Sequence, residues 1–298
     1  MGKSLGPGFR RDERIITAVS GALETMSHLT ETLDPDVRTP FVEAVIRFTD
    51  RASEGAVLHS EDHESSTFQL EPHTVRIHDA RAAADRLSFA GNGFTLVRHR
   101  LDIDYLDKDQ VQQRWCPEAC DIVRRLTGAA EVIAFLDLVR SETREEGVEP
   151  ANNAHVDFDE PSLHRWVRML RPDDADALLK KRLVNINLWR PVRPVERMPL
   201  AVCDASTVSR GDLVRTLIGA KPGEEASAFA GFNLAFNPDQ RWYYYPDMQP
   251  DEVMAFKLFD SDQRRPHLSA HTAFEHPGSR PGAAPRLSHE IRTIAFLD

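Results

Sequence analysis

The chain has 298 residues, 41% of them hydrophobic and 28% charged, with a formal net charge of −10 and a pI near 5.7. These are ordinary globular values, so fibrous and disordered classes drop out. The acidic balance argues against a nucleic-acid binder relying on a broad basic surface, and three cysteines fit a reducing, cytoplasmic setting.

Along the chain, residues 12–33 place Ile15, Ile16, Val19, Leu23 and Met26 near a 3.6-residue spacing. That predicts a helix, and an element on which a homodimer could form. Pro35 and Pro40 end it, and 41–48 reads as a second short helix before a polar loop over 50–66. Short strands are expected at 67–70 and 74–78, a short helix at 81–87, a turn at Gly91-Asn92-Gly93 and a strand at 94–99. Residues 109–127 predict the clearest helix, and 131–140 a strand of nearly continuous apolar character. A polar loop leads to His155, and helices at 161–170 and 173–181 flank Pro172. From 183 onward strands dominate, at 183–189, 200–204, 229–236, 241–245, 253–259, 271–274 and 289–297.

The fold expected is mainly β with flanking helices: a double-stranded β-helix, or jelly roll, of cupin-like type. It is read as a single domain over 1–298, with a helical N-terminal extension at 1–64 and the β-helix with inserted helices at 65–298. No apolar run approaches the roughly 18–20 residues that span a bilayer. The first residues lack the secretory and myristoylation patterns, so no membrane partner is expected.

His155-Val156-Asp157 carries the most chemistry. Side chains alternate with period two in extended backbone, so His155 and Asp157 share a face. One distal histidine completes a two-His-one-carboxylate facial triad, whose three open positions suit non-haem Fe(II) holding a keto acid and O2 together. His267, His271 and His276 compete for that place. His271 is chosen because His271-Thr272-Ala273-Phe274 reads as a strand entry, whereas Pro266 and the absence of H-E-x-x-H disfavour a helical pair with His267. His59 and His63 have metal-like spacing but sit in a polar segment without a third ligand. Asp157 and Asp159 also precede a helix whose positive end favours acids. A basic residue beyond the second histidine, Arg286 or Arg292, would pair with the far carboxylate of 2-oxoglutarate.

Residues 185–205 (NINLWRPVRPVERMPLAVCDA), 241–261 (RWYYYPDMQPDEVMAFKLFDS), HTAF at 271–274 and PRLSHEIRTIAF at 285–296 resemble the gibberellin-desaturase, AsaB and cephamycin 7α-methoxylation-protein family. The resemblance covers roughly 65–298. It implies an Fe(II)- and 2-oxoglutarate-dependent oxygenase that hydroxylates or desaturates a small molecule with O2, in specialised metabolism. It further implies iron ligation by His155, Asp157 and His271, and 2-oxoglutarate binding by Arg286 with Ser288, Arg292 being a rival. His289 departs from the family pattern and is expected to perturb the co-substrate end. Trp189, Arg190, Trp242 and Tyr244 are candidate substrate contacts. Two other readings remain: a cupin-like metalloenzyme that does not use 2-oxoglutarate, and a non-catalytic partner of a biosynthetic complex.

Overall fold

A computed structural model describes Met1 and residues 39–59, 65–143, 145–219, 222 and 229–298. The helix expected at 12–33, and the dimer element built on it, lie outside the described residues.

Two sheets face each other. The strands are β1 (Phe41–Thr49), β2 (Val57–His59), β3 (Leu70–Asp79), β4 (Phe94–Arg98), β5 (Glu131–Ser141), β6 (His155–Val156), β7 (Arg182–Pro191), β8 (Leu200–Cys203), β9 (Leu213–Gly219), β10 (Ala230–Leu234), β11 (Trp242–Tyr244), β12 (Glu252–Asp260), β13 (His271–Ala273) and β14 (Leu287–Leu297). A nine-stranded sheet runs β1-β3-β11-β8-β13-β6-β10-β9-β2, and a five-stranded sheet runs β4-β12-β7-β14-β5. Strands remote in sequence thus become neighbours, as in a double-stranded β-helix. In particular His271 of β13 pairs with His155 of β6, across more than a hundred residues of chain.

One apolar core joins both sheets, through Phe48, Val202 and Trp242 on one side and Phe94, Trp189, Met254 and Phe256 on the other. Helix α1 (Cys116–Thr127) and Trp115 just ahead of it cover the outer face of the five-stranded sheet, packing Trp115, Ile122 and Val123 against Ile186, Leu188, Val253 and Ile291. Helix α2 (Glu160–Leu170) closes a third cluster with Leu163 and Val167 against Phe158, Leu183 and Phe296. Because helices cover its outer side, the five-stranded sheet is buried on both faces, and polar residues within it must find partners inside the protein.

The structure corrects the helix expected at 41–48: those residues form β1, paired with β3 along its whole length. Ala44, Ile46 and Phe48 are buried while Val45 is exposed, a period of two that the branched residues of this segment favour. The predicted helical extension therefore does not reach residue 64, since β1 and β2 belong to the nine-stranded sheet. Pro72 lies in β3 where β1 is the strand's partner and β11 has not yet begun to pair, which is where a residue without N–H is tolerated. Strand β9 was not expected from the sequence, and the helix at 81–87 is a run of turns. The turn expected at Gly91-Asn92-Gly93 is the end of a short helix over Phe89–Asn92, capped by Gly93 with φ of 84°.

Candidate metal centre

His155 and Asp157 leave β6 on the same side, and β13 brings His271 against them. Donor atoms of the three residues all lie within 4.8 Å of one another. Asp157 Oδ1 stands 3.5 Å from His155 Nε2 and 3.9 Å from His271 Nε2. The imidazole centroids are 4.3 Å apart, and Phe256 packs on the His271 ring at 4.8 Å. His267 instead packs on Phe259, and His276 Nε2 meets the Tyr244 hydroxyl at 3.1 Å. Neither is brought to the cluster.

The side chains of the cluster are aimed by their neighbours. His155 Nδ1 donates to the Asn153 carbonyl at 2.9 Å, which leaves the Nε2 lone pair facing the centre. Asp157 Oδ2 accepts from Arg292 Nε at 2.6 Å and from Asn187 Nδ2 at 2.9 Å, so Oδ1 is the oxygen turned inward. Arg292 Nη2 also pairs with Glu290 Oε1 at 2.8 Å, and Asn187 reaches the same oxygen at 3.2 Å. Burial pushes the Asp157 carboxyl up, but Arg292 and the two histidines outweigh it and hold the group well below the usual carboxylate range. Burial, reinforced by His155, holds His271 well below the ordinary imidazole value. An ionised carboxylate and neutral imidazoles are the states that ligate a divalent metal.

The backbone is built for this approach. Gly231 of β10 lies directly against the ligand segment, where a Cβ would stand 2.5 Å from the Asp157 carbonyl oxygen. Asp159 caps α2, accepting from Ser162 N at 2.9 Å, so the two acids of the segment divide into one that faces the histidines and one that caps a helix.

The arginines separate. Arg292 is committed to Asp157 and Glu290. Arg286 is 2% exposed, lies over the Trp189 ring at 5.5 Å and donates from Nη1 to the Met198 carbonyl at 2.8 Å. Met198 holds that carbonyl with φ of 50°, a costly conformation for a side-chain-bearing residue. Among the described residues, Arg286 Nε has no partner and no carboxylate pairs with its guanidinium. Burial, with the nearby Arg140 adding to it, pushes the group down to about 9. Ser288 is buried two residues on, in register opposite Arg140.

The remaining sequence candidates fall elsewhere. Arg190 points to the outer face of β7, between Tyr105 and Trp115 at 4.6 and 4.9 Å, and donates to the carbonyls of His99 and Pro250. Trp242 is packed edge-on to Phe48 in the core. Tyr244 borders a separate cavity of about 230 Å³ with His276 and Asp247. His289, expected at the co-substrate end, faces outward to Asp137 Oδ2 at 3.3 Å and to Tyr105. Of the four aromatic and basic candidates for substrate contact, Trp189 lies in β7 two residues beyond Asn187, in register with Glu290 and beneath Arg286.

Sequence reasoning did not single out Asn187, Glu290, Asn153 or Arg140. A signal for Asn187 exists: Asn185-Ile186-Asn187-Leu188 alternates polar and apolar in what becomes an inner strand covered on both sides, where a polar row marks a site. A cavity of about 430 Å³ opens beside the cluster. His155, Asp157 and Arg292 form part of its wall, and Leu136, Leu138, Phe158, Trp166, Phe229 and Phe232 much of the rest.

The chain matches, over residues 46–296, a family described as Oxidoreductase/YMDC permease-like domain. It is similar to the Fe(II)/2-oxoglutarate-dependent dioxygenase nvfI of Aspergillus novofumigatus, 33% identical over 242 residues that cover 78% of this chain and 86% of the relative. The hydroxylase/desaturase efuI of Hormonema carpetanum is 28% identical over 289 residues, covering 88% and 97%. Among solved structures, the iron and alpha-ketoglutarate-dependent endoperoxidase NvfI superposes with a TM-score of 0.78 at 30% identity, covering 87% of this chain and 99% of that one.

Proposed function

The chain belongs to the family of Fe(II)/2-oxoglutarate-dependent dioxygenases and hydroxylase/desaturases, and from that premise we propose that it oxidises a C–H bond of a small molecule in specialised metabolism, using Fe(II), 2-oxoglutarate and O2. The observation that carries this reading is the convergence of His155 Nε2, Asp157 Oδ1 and His271 Nε2, with the opposite atoms of His155 and Asp157 tied back by Asn153, Asn187 and Arg292. A mixed imidazole–carboxylate set on one face of a buried site fits Fe(II) with open positions. When bound, iron and 2-oxoglutarate supply the oxidising chemistry, the keto acid leaving as succinate and CO2.

The protein's share is binding, orientation and exclusion of water. Arg286 and Ser288 are assigned to the distal carboxylate of 2-oxoglutarate. A buried guanidinium with an unpartnered Nε and no anionic partner is costly by itself and is relieved by a carboxylate. Arg292 is assigned to the metal ligand Asp157, whose outer oxygen it holds. Trp189 supports the Arg286 guanidinium from below. The apolar cavity wall keeps water from the reacting centre and chooses which carbon is presented. Among the described residues, no helix is long and apolar enough to cross a membrane.

The test is anaerobic addition of Fe(II), then 2-oxoglutarate, to metal-free protein while following the weak visible band of a keto acid chelated to Fe(II). The band is expected in the wild type and absent in Asp157→Ala and His271→Ala. Iron binding with no band in the wild type would overturn the assignment of 2-oxoglutarate, and failure to bind iron would overturn the metal centre.

A further inference from the structure

Beside the His155–Asp157–His271 cluster, the cavity wall carries, among the described residues, one arginine that the proposed chemistry does not use. Arg140 of β5 lines the cavity, and its Nη1 donates to the Glu149 carbonyl at 3.1 Å. No carboxylate among the described residues is in ion-pair contact with it. The acids whose fields reach it, Glu290 and Asp157, are already held by Arg292 and Asn187. Among the described residues, the other polar side chains on the wall are occupied apart from Asn233, whose Nδ2 is a neutral donor without a partner. Asn153 Nδ2 donates to Asn233 Oδ1 at 2.9 Å, Thr216 bonds to the Val214 carbonyl, and Arg292 is committed to Asp157. Arg286 is not on this wall.

We propose that Arg140 determines substrate specificity by binding the carboxylate of a bulky, otherwise apolar substrate seated in this cavity. The inference rests on the reading of the cluster as an oxygenase centre. A volume of about 430 Å³ falls in the range of roughly 300–1,000 Å³ of pockets for drug-sized molecules. Leu136, Leu138, Phe158, Trp166 and Phe232 offer it an apolar body, and a guanidinium at one edge offers a planar two-oxygen contact. Strand register then places the two ends. Leu136 lies opposite Arg292, which holds the metal-binding carboxylate, whereas Arg140 lies opposite Ser288. Four residues of strand separate them, about 13 Å along the wall. A molecule anchored at Arg140 thus presents to the metal a carbon remote from its acidic group, which directs oxidation to an unactivated position.

The experiment uses a matched pair of probes, biphenyl-4-carboxylate and biphenyl-4-carboxamide, titrated calorimetrically into protein loaded anaerobically with Fe(II) and 2-oxoglutarate. The wild type is expected to bind the acid more tightly than the amide by a factor on the order of ten to a hundred, the scale of a charge-assisted hydrogen bond. Arg140→Gln is expected to lose that preference while binding the amide as before, and Arg140→Lys, which keeps the charge, to retain part of it. Equal binding of acid and amide by the wild type overturns the proposal, as does a preference that survives in Arg140→Gln. A rise in the 2-oxoglutarate needed for the visible band in Arg140→Gln, matching that in Arg286→Gln, also overturns it by making Arg140 a co-substrate residue. If the wild type gives no band, the oxygenase reading fails separately, and the acid-over-amide comparison on metal-free protein still decides the role of Arg140.

Discussion

The two faces of the five-stranded sheet each bury arginine, and they do so to different ends. On the outer face, Arg190 is sandwiched by Tyr105 and Trp115 and donates to two backbone carbonyls. On the inner face, Arg286 keeps one carbonyl contact and one ring, with Nε unpartnered. Both residues are almost fully enclosed, so burial alone does not separate scaffold from site. What separates them is the state of their donors. The carbonyl oxygens of His99 and Pro250, next to the ends of β4 and β12, and the rings of Tyr105 and Trp115, ahead of α1, are present on the outer side whenever the protein is folded. On the inner side the carboxylates of Asp157 and Glu290 are taken by Arg292, and no carboxylate among the described residues forms an ion pair with Arg286, so its natural partner is a carboxylate that arrives with a ligand.

Substitutions that treat the two faces alike would break this contrast. The largest effect is expected from Arg286→Gln, which should raise the 2-oxoglutarate concentration for half-formation of the visible band on the order of ten- to a hundredfold and leave iron binding intact. Thermal stability should change little, because the variant also removes an uncompensated buried charge. Asn187→Ala comes next. Freeing one of the two contacts on Asp157 Oδ2 should weaken Fe(II) binding by roughly tenfold or somewhat more, the usual scale for a residue that orients a ligand, measured by competition with a chelating dye. Arg190→Met should do neither. It is expected to cost about 1–3 kcal/mol in urea unfolding through lost packing and carbonyl contacts, with an unaltered 2-oxoglutarate titration. A changed titration in Arg190→Met, or an unchanged one in Arg286→Gln, would erase the distinction between the faces.

Gly231→Ala probes a different boundary. Its Cβ would meet the backbone of the ligand segment at 2.5 Å, so β10 or β6 must shift. We expect a loss of stability of about 1–3 kcal/mol together with weaker iron binding, whereas Gly282→Ala, where nothing lies within 4 Å and the cost is that of a φ of 78°, should leave iron binding unchanged. Calorimetric melting and metal titration on both variants separate local strain from disturbance of the site.

Much of the site was legible in the order of residues. An extended H-x-D places both side chains on one face whatever the fold, because the period of a strand is two. The distal histidine was narrower: His267, His271 and His276 differ little as a sequence pattern, and it is the pairing of β13 with β6 that puts His271 opposite His155. The helix expected at 41–48 failed because a segment holding Val42, Val45 and Ile46 has apolar residues at both spacings, and pairing with β3 decided between them. Arg190 was a candidate for the pocket on the strength of its neighbour Trp189. Adjacent residues of a strand point to opposite faces, so only one of them reaches the inner side.

The sequence by itself determined the local geometry of the ligand pair, the strand-rich architecture, and a set of basic residues beyond the second histidine. Those follow from short-range periodicity and from the chemistry of side chains that few other functions require. Only the tertiary structure decided which arginine braces Asp157 and which keeps an unpartnered Nε, which face of β7 looks inward, and that Asn187 and Arg140 lie beside the cluster. In a sheet covered on both sides, polar and apolar alternation no longer tells inside from outside. The assignment depends on strand register and on which layer lies above each face, and neither is written in any local stretch of the chain.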